Sequence, residues 1–280
     1  MRKIPVNEIT RIIKDMCIEA NYYLSKDMSK ILENSLNNEE SPVGKSVLGQ
    51  LKENLLIASR EMIPICQDTG MTVIFVDIGQ EVCFTCGNLE EAIQEGVRQG
   101  YREGYLRKSV VSDPFIRTNT NDNTPAVIYY NICDGDKVSI TVAPKGFGSE
   151  NMSRIYMLKP SDGIEGAKKA IVEAVLEAGP NACPPMVVGV GIGGTFEKCA
   201  MLAKKALLRS VEEKSKLEHI RRMEEELLFT LNQSGIGPSG LGGNNTVFSV
   251  NIEIYPTHIA GLPVAINICC HANRHIKKVI

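Results

Sequence analysis

The sequence contains no tryptophan, and only 5% of its 280 residues are aromatic, so its core must be built from aliphatic side chains. The 31 basic residues nearly balance the 33 acidic residues, and this excludes the basic surface that nucleic acids select. No run approaches the roughly 18 apolar residues of a membrane span. What remains is an ordinary globular composition, 43% hydrophobic and 23% charged, with neither nucleic acid nor membrane as a partner.

An export signal is also missing from the first residues. MRKIPVNEITRIIKDMC places acids among its apolar residues and has neither an apolar signal core nor a cleavage site. We therefore expect a cytoplasmic protein. In that compartment nine cysteines, an odd number, are metal ligands, catalytic thiols or small buried hydrophobic residues rather than a disulfide framework.

The periodicity of apolar residues predicts a mixed α and β fold (α+β or α/β). We treat residues 1–280 as one unit, with a helical N-terminal region over 1–60 and a mixed, strand–helix region over 61–280. Ser41 followed by Pro42 predicts a helix start. Asn88 predicts the cap of a helix that runs to about residue 105.

Short apolar runs with turn residues between them predict strands. MTVIFVDIG and EVCFTC are interpreted as two strands joined tightly at Gly79-Gln80, and AVIYYNI and KVSITVA as a hairpin joined by DGDK. LRKSVVSDPFIRTNTNDNTP predicts a long ordered loop, and loops of that length are usually functional. PKGFGSENMS predicts a second loop, which contains glycine.

Three cysteines lie in polar or proline-rich loops: Cys66 in PICQDTG, Cys183 in GPNACPP and Cys270 in NICCHANRH. Cys66 and Cys183, taken singly, fit a structural or inconsequential thiol equally well. Taken together, three widely spaced loop thiols fit a [4Fe–4S] cluster that keeps one iron open to water or substrate. An electron-transfer cluster more often has a compact C-x2-C-x2-C run, which is absent.

Successive strand residues point to opposite faces, so Cys269 is predicted to be in the core and Cys270 to be the candidate ligand. The other cysteines are predicted to be structural or inert: Cys17 and Cys199 on helices, Cys133 at a strand end, and Cys83 and Cys86 in a C-x-x-C within a strand.

A different class of function is suggested by Gly189, Gly191 and Gly194, which match G-x-G-x-x-G between a strand and a helix. A dinucleotide-binding fold ordinarily places this unit first, whereas here it begins past residue 180. An NAD-dependent oxidoreductase therefore remains only an alternative, and a non-catalytic iron–sulfur scaffold is another.

Basic residues and one histidine are further candidates. Arg107, Lys145, Arg154 and Arg274 could bind a carboxylate, although each taken singly is interpreted as a solvated surface charge. His258 fits an acid/base or anchoring role and a structural role equally well.

Seven motifs in order resemble the alpha subunit, or N-terminal half, of the class I iron–sulfur hydro-lyases. These are PICQDTG, LRKSVVSDP, DNTPAVIYY, PKGFGSEN, GPNACPP, GVGIGGTFEKC and CHANR, and they cover nearly the whole chain. The family includes oxygen-sensitive fumarate hydratase and L(+)-tartrate dehydratase. The resemblance implies a [4Fe–4S] cluster, with one iron not bound by a protein thiolate, held by Cys66, Cys183 and Cys270.

The resemblance also implies a set of substrate contacts: Gln67, Asp68, Arg107, Gly146, Gly148 and His258. Asp68 and His258 are the predicted catalytic residues, and a structural role of Asp68 in an Asx turn is the lesser alternative. The glycine loop departs from the family's usual GGGS because Phe147 stands in its middle.

The family's C-terminal half has no counterpart before Ile280. The resemblance therefore implies a separate beta subunit, an active site shared with it, and a heterotetramer of two alpha and two beta chains. The implied activity is the reversible hydration of fumarate to malate, with L(+)-tartrate dehydration as the nearest alternative. Either substrate is a small dicarboxylate.

Overall fold

The computed structural model describes every residue from Met1 to Ile280, and the fold is mixed α and β, as predicted. The helices are α1 (Val6–Tyr22), α2 (Lys26–Asn38), α3 (Pro42–Glu61), α4 (Leu89–Glu103), α5 (Phe147–Glu150), α6 (Gly163–Ala178), α7 (Phe196–Ala206) and α8 (Glu218–Asn232). The strands are β1 (Arg2–Pro5), β2 (Met71–Gly79), β3 (Val82–Thr85), β4 (Val127–Cys133), β5 (Val138–Lys145), β6 (Arg154–Leu158), β7 (Met186–Gly193), β8 (Val247–Tyr255), β9 (Leu262–Cys269) and β10 (Ile276–Val279). None of the helices combines the length and the apolar character that crossing a bilayer requires.

The chain divides into two compact units, and each is assembled from separate stretches of sequence. Unit 1 comprises Met1–Ser25, Asn54–Phe147 and Arg274–Ile280. Unit 2 comprises Lys26–Glu53 and Gly148–Asn273. The candidate residues are therefore distributed over both units, with Cys66 in unit 1 and Cys183 and Cys270 in unit 2.

Unit 1 is built on a four-stranded sheet in the order β10-β5-β2-β4, in which β2 pairs parallel with β4 and antiparallel with β5. Helices α1 and α4 supply apolar residues such as Ile13 and Ile93 to a core shared with Ile74 of β2 and Ile140 of β5. Gly96 permits the two helices to approach closely, because a Cβ there would lie 2.7 Å from the carbonyl oxygen of Thr10.

Both predicted strand pairings in unit 1 are wrong. β4 and β5 lie on opposite sides of β2 instead of forming a hairpin, and β3 pairs in parallel with β1 instead of with β2. The connection after β2 hydrogen-bonds to the DGDK turn, since Gly79 N donates to Lys137 O at 2.9 Å and Glu81 N donates to Gly135 O at 3.0 Å. The turn residues correctly indicated where the chain changes direction. They did not indicate that β2 lies between β5 and β4 in the sheet, because that order depends on which strand is most buried.

Both predicted helix starts are confirmed. Helix α3 begins at Pro42, and Ser41 Oγ accepts a hydrogen bond from Gly44 N at 3.1 Å. Helix α4 begins after Asn88, whose side chain accepts from Glu91 N at 3.1 Å. The stretch 106–126 is an ordered loop, as predicted, with one isolated bridge between Val111 and Asn119. The second predicted loop contains the short helix α5.

Unit 2 is built on a sheet in the order β6-β9-β7-β8, with β7 parallel to β8 and antiparallel to β9. One face is covered by α6 and α8, which bury Ile171 and Leu227 against Val188 and Val190 of β7. On the other face, Cys199 and Ala203 of α7 pack against Ala265.

The glycine motif in β7 provides room for α7. A Cβ at Gly189 would lie 2.3 Å from the carbonyl oxygen of Ala203, and a Cβ at Gly191 would lie 2.1 Å from that of Cys199. Both glycines therefore lie inside a strand and face a helix, whereas a dinucleotide fingerprint needs them in the turn after the strand. This packing removes the motif as support for an oxidoreductase.

Candidate active site

Cys66 lies in a turn of unit 1 between α3 and β2. The preceding residue fixes the turn, because Ile65 N donates to Asn21 O at 2.9 Å and Ile65 O accepts from Asn54 Nδ2 at 2.8 Å. Cys66 is half-buried, and its thiol lies 3.5 Å from Oε1 of the exposed Gln67. The sequence thus produces an anchored thiol with an exposed amide beside it.

The carboxylate of Asp68 joins this turn to the glycine loop. Its Oδ1 accepts from Gly70 N at 3.0 Å, which closes an Asx turn, and its Oδ2 accepts from Phe147 N at 2.8 Å. A Cβ on Gly146 would approach Oδ2 to 3.1 Å, so Gly146 leaves the close approach open. Each carboxylate oxygen has a second lone pair, and the anchored group can therefore still accept a proton.

Buried polar side chains hold the backbone of the turn at residues 69–70 in place. The Tyr101 hydroxyl lies 2.7 Å from the carbonyl oxygen of Thr69 and 3.1 Å from that of Gly70, and it accepts from Thr72 Oγ1 at 3.2 Å. Asn123 Nδ2 also donates to Gly70 O, at 3.1 Å. Burial raises the pKa of Tyr101, so its hydroxyl remains a donor at neutral pH. The sequence analysis missed Tyr101, whose one signal was a polar hydroxyl on the apolar face of α4.

Two basic residues are buried in unit 1, and their interpretation as solvated surface charges is wrong. Arg274 is 4% exposed; its Nη2 donates to the Asp68 carbonyl oxygen, while Nε and Nη1 have no hydrogen-bond partner in the structure. Lys145 is 5% exposed, and its Nζ donates to Gly146 O at 3.2 Å. The two unpartnered nitrogens of the buried Arg274 guanidinium favour an anionic ligand near Asp68, because a buried charged group is costly without a partner.

Arg107 and Gly148 are both exposed. The backbone of Arg107 is tied to the Cys66 turn, because its carbonyl oxygen accepts from Thr69 Oγ1 at 3.0 Å, and its guanidinium is left free to meet a ligand. A Cβ added at Gly148 would meet nothing within 4 Å. Within this chain, Gly146 is therefore the glycine whose small size matters, and Gly148 is not.

The Cys183 and Cys270 loops of unit 2 lie side by side. Cys183 is exposed and adopts a left-handed backbone (φ 53°), and its carbonyl oxygen accepts from His271 N at 3.4 Å and lies 3.2 Å from His271 Nδ1. Cys269 is buried at the end of β9, and Cys270 follows it half-exposed. A hydrogen bond with Cys269, together with burial, raises the pKa of Cys270 well above its usual value.

His258 lies apart from these cysteines, in the exposed loop between β8 and β9. Its Nδ1 accepts from Ala260 N at 3.2 Å, which leaves Nε2 as the donor of a neutral ring. It lines a largely apolar cavity of about 510 Å³ in unit 2 that His219 and Tyr255 also line and that none of the three candidate cysteines reaches.

An iron–sulfur cluster needs thiolate donors, and the candidate donors of this chain are Cys66, Cys183 and Cys270. The structure gathers no group of three His, Cys, Asp or Glu side chains that could hold a metal ion. It does bring the Cys183 and Cys270 loops together through His271, and both residues lie outside the strands beside them. Thiols are the ligands that such clusters require, so within unit 2 the residues Cys183 and Cys270 fit the chemistry in kind, and Cys66 is a further thiol in unit 1.

The chain is similar to known proteins over nearly its whole length. The family model described as Fumarate hydratase (Fumerase) matches residues 10–279. A Methanocaldococcus jannaschii protein with the provisional name L(+)-tartrate dehydratase subunit alpha is 42% identical over 279 residues, covering 98% of both chains. The L(+)-tartrate dehydratase subunits alpha of Escherichia coli strain K12 and of Shigella sonnei are each 33% identical over 273 residues, covering 96% of this chain and 89% of theirs. The chain therefore belongs to the fumarate hydratase (Fumerase) family of hydro-lyases.

Proposed function

We propose that the chain is the alpha subunit of an iron–sulfur hydro-lyase that removes water from L(+)-tartrate. The observation that carries this proposal is similarity over nearly the whole chain to proteins named as alpha subunits of L(+)-tartrate dehydratase. These names favour tartrate over the fumarate that the sequence analysis placed first. Fumarate remains the second candidate because the matching family model is described as fumarate hydratase.

Cys66, Cys183 and Cys270 would hold a [4Fe–4S] cluster. When bound, such a cluster supplies an open iron that acts as a Lewis acid on a substrate hydroxyl. The thiols lie on loops fixed by backbone hydrogen bonds, such as Ile65 N to Asn21 O and His271 N to Cys183 O. Each loop is therefore ordered within its own unit before any cluster binds.

The chain's own residues supply binding and proton transfer. Arg107 and the buried Arg274 offer positive charge to the two carboxylates of the substrate, and the Gln67 amide can donate to its oxygens. Asp68 takes the C–H proton on a free lone pair of its carboxylate, which Gly70 N and Phe147 N hold in place. His258 Nε2 is a further proton donor, available to a substrate or partner group that enters the cavity it lines.

The relatives are named as alpha subunits, and this supports a beta subunit as the partner. We propose two chains of each type, with a cytoplasmic location where reducing conditions keep the nine cysteines as thiols.

The test is anaerobic co-expression with the candidate beta chain, followed by assays with L(+)-tartrate, fumarate and L-malate. We expect a brown protein with about four iron atoms per alpha chain and a higher kcat/KM for tartrate, whose dehydration yields oxaloacetate. A higher kcat/KM for fumarate would select the second candidate. Iron without turnover of any of these substrates would support a scaffold, and nucleotide binding without iron would support an oxidoreductase.

A further inference from the structure

The glycine-rich stretch GIGPSGLGGNN supplies no catalytic or binding residue of the proposed function. It packs against the loop that carries Cys183. Both belong to unit 2. Ser239 N donates to Pro184 O at 2.8 Å, and Met186 N donates to Thr246 O at 2.9 Å. Residues 239–246 therefore hold the backbone on the C-terminal side of Cys183 through two hydrogen bonds.

The same stretch also touches the N-terminal side of the Cys183 loop. A Cβ at Gly240 would lie 2.4 Å from Cβ of Pro180, and Gly240 has a φ of +74°, which only glycine adopts readily. Pro180 O in turn accepts from Cys183 N at 3.1 Å. The position of residues 180–186 thus depends on the position of residues 239–246.

What fixes the glycine-rich stretch is a buried carboxylate. Glu39, between α2 and α3, is 1% exposed. Its Oε1 accepts from Asn244 N at 3.1 Å and from Glu40 N and Ser41 N at 3.0 Å each. Its Oε2 accepts from Asn245 N at 3.2 Å and from Asn245 Nδ2 at 2.7 Å. Five donors therefore converge on one side chain, and three of them come from the glycine-rich stretch.

The surroundings of Glu39 are shaped to admit its carboxylate in this one position. A Cβ at Gly243 would lie 2.7 Å from Oε1, and a Cβ at Gly44 would lie 2.9 Å from Cδ. Burial opposes the charged form, but the hydrogen bonds from Asn245 and Ser41 outweigh it and hold the pKa of Glu39 below its usual value. The carboxylate is consequently ionised at neutral pH and accepts at both oxygens.

We propose that Glu39 is a positioning residue for Cys183: it clamps residues 244–245, and the clamped stretch orients the loop that presents the thiol. The importance of this orientation for iron binding rests on the proposed function, in which Cys183 is a cluster ligand. Glu39 itself contacts neither substrate nor cluster ligand.

The test compares Glu39→Gln with Glu40→Gln, a matched change at the exposed neighbour. The amide introduced by Glu39→Gln keeps one acceptor oxygen but turns an NH2 group toward the two donors of Asn245. Both variants and the wild type are studied as the full chain, made iron-free by a chelator under anaerobic conditions. Hydrogen exchange is followed by mass spectrometry for peptides covering 180–187 and 237–246, and iodoacetamide labelling is compared at Cys183 and Cys83.

For Glu39→Gln we expect exchange in both peptides to accelerate by about tenfold or more, because each loses hydrogen bonds that depend on the clamp. The ratio of labelling at Cys183 to labelling at Cys83 should change by about threefold or more, since only the first thiol lies on the supported loop. After reconstitution the variant should retain less iron, and the electron paramagnetic resonance spectrum of its reduced cluster should differ from that of the wild type. Glu40→Gln should match the wild type in every measurement.

If the Glu39→Gln variant shows the same hydrogen exchange and labelling as the Glu40→Gln variant, the positioning role is overturned. This holds even if Cys183→Ser loses its iron, as the proposed function requires. Altered exchange and labelling in a chain that never binds iron would instead refute the proposed function and leave the clamp established. If Glu39→Gln does not fold, Asn245→Ala removes one donor and keeps the carboxylate; it should show the same changes to a smaller degree, and their absence would overturn the proposal.

Discussion

Asp68 closes a turn in the structure, and this contact is compatible with the proposed role of Asp68 as a general base. Its Oδ1 closes an Asx turn with Gly70 N, and its Oδ2 receives Phe147 N from the glycine loop. Both contacts come from backbone N–H groups, and they fix the direction in which the remaining lone pairs point. A carboxylate held in this way is well suited to take a proton, because orientation is the larger part of general-base efficiency.

Asp68→Asn should separate the two roles. The amide oxygen can still accept from Gly70 N, so the turn and the iron content should be retained. The NH2 group cannot accept a proton and opposes Phe147 N–H, so kcat should fall by about 10²- to 10⁴-fold. The measurement is kcat per bound iron under anaerobic conditions. A loss of iron with unchanged kcat per cluster would show that Asp68 acts only on the structure of the turn.

The three loop cysteines should be separable from the other thiols by single replacement. Cys66→Ser, Cys183→Ser and Cys270→Ser should each reduce iron to less than about a tenth of the wild-type content, because serine is a poor ligand for a cluster that needs thiolates. Cys83→Ser, in β3, is the matched control and should keep its iron. Iron retained by Cys270→Ser but lost by Cys269→Ser would reverse the assignment of the vicinal pair.

The setting of a single residue could be predicted from the sequence only where neighbouring residues determine it. The loop setting of Cys66, Cys183 and Cys270 was visible beside prolines and turn formers. The burial of Arg274 and Tyr101 was not, because it is created by strands and helices far away in the sequence. The contact between Asp68 and Phe147 spans 79 positions and had no sequence signal beyond the resemblance.

At the scale of elements, the loop 106–126 is fastened to helix α4 by its own residue Asp122, whose carboxylate bonds to Arg98 of α4. Asp122 Oδ2 accepts from Arg98 Nε at 2.9 Å, and Oδ1 accepts from Thr124 N at 3.0 Å and Thr124 Oγ1 at 2.8 Å. Partial burial raises the pKa of Asp122, but these hydrogen bonds outweigh it and lower the pKa from 3.8 to about 2. The ionised carboxylate therefore stabilises the folded loop.

Asp122→Asn should reduce the free energy of unfolding by about 1–2 kcal/mol at pH 7. Because the folded pKa is below the unfolded one, the contribution of Asp122 is complete above pH 3.8 and disappears as the pH falls through about 2. The difference between wild type and variant should thus fall by roughly half near pH 3. Urea unfolding at pH 7, 5 and 3 measures it, with exposed Asp136→Asn as the control. A difference that is the same at pH 7 and pH 3 would show that ionisation of Asp122 is not its cause.

Elements were predictable where the deciding contacts were near in sequence. Ser41 and Asn88 marked helix starts because a cap bonds to residues three positions ahead. The pairing of β2 was not predictable from the turns beside it, since its neighbours β4 and β5 were selected by burial across the whole sheet. The glycines of β7 showed that something approaches closely, but only the fold identified it as α7.

For the molecule as a whole, the proposed partner should govern turnover and stability in air. An iron without a protein thiolate is open to oxidants as well as to substrate. We expect the alpha chain alone to bind iron but turn over at less than about 1% of the rate of the complex, because the proposed beta chain would supply the remaining substrate contacts and exclude water. The complex should lose activity in air more slowly than the alpha chain loses iron, and ferrous iron with a thiol reductant should restore it.

The measurement is specific activity per cluster with and without the beta chain, followed over time after exposure to air. Full activity after prolonged aeration would contradict an open iron. Comparable turnover by the alpha chain alone would mean that every catalytic group lies within residues 1–280.

The discontinuous units have a consequence for synthesis. Strand β10 pairs with β5 in unit 1, yet it is translated after every residue of unit 2. The sheet of unit 1 must therefore wait, with the outer edge of β5 unpaired, while about 130 further residues leave the ribosome at roughly 5–20 residues per second. For many seconds this edge is open to other nascent chains, and the yield of native protein should depend on how well the cell protects it during that interval.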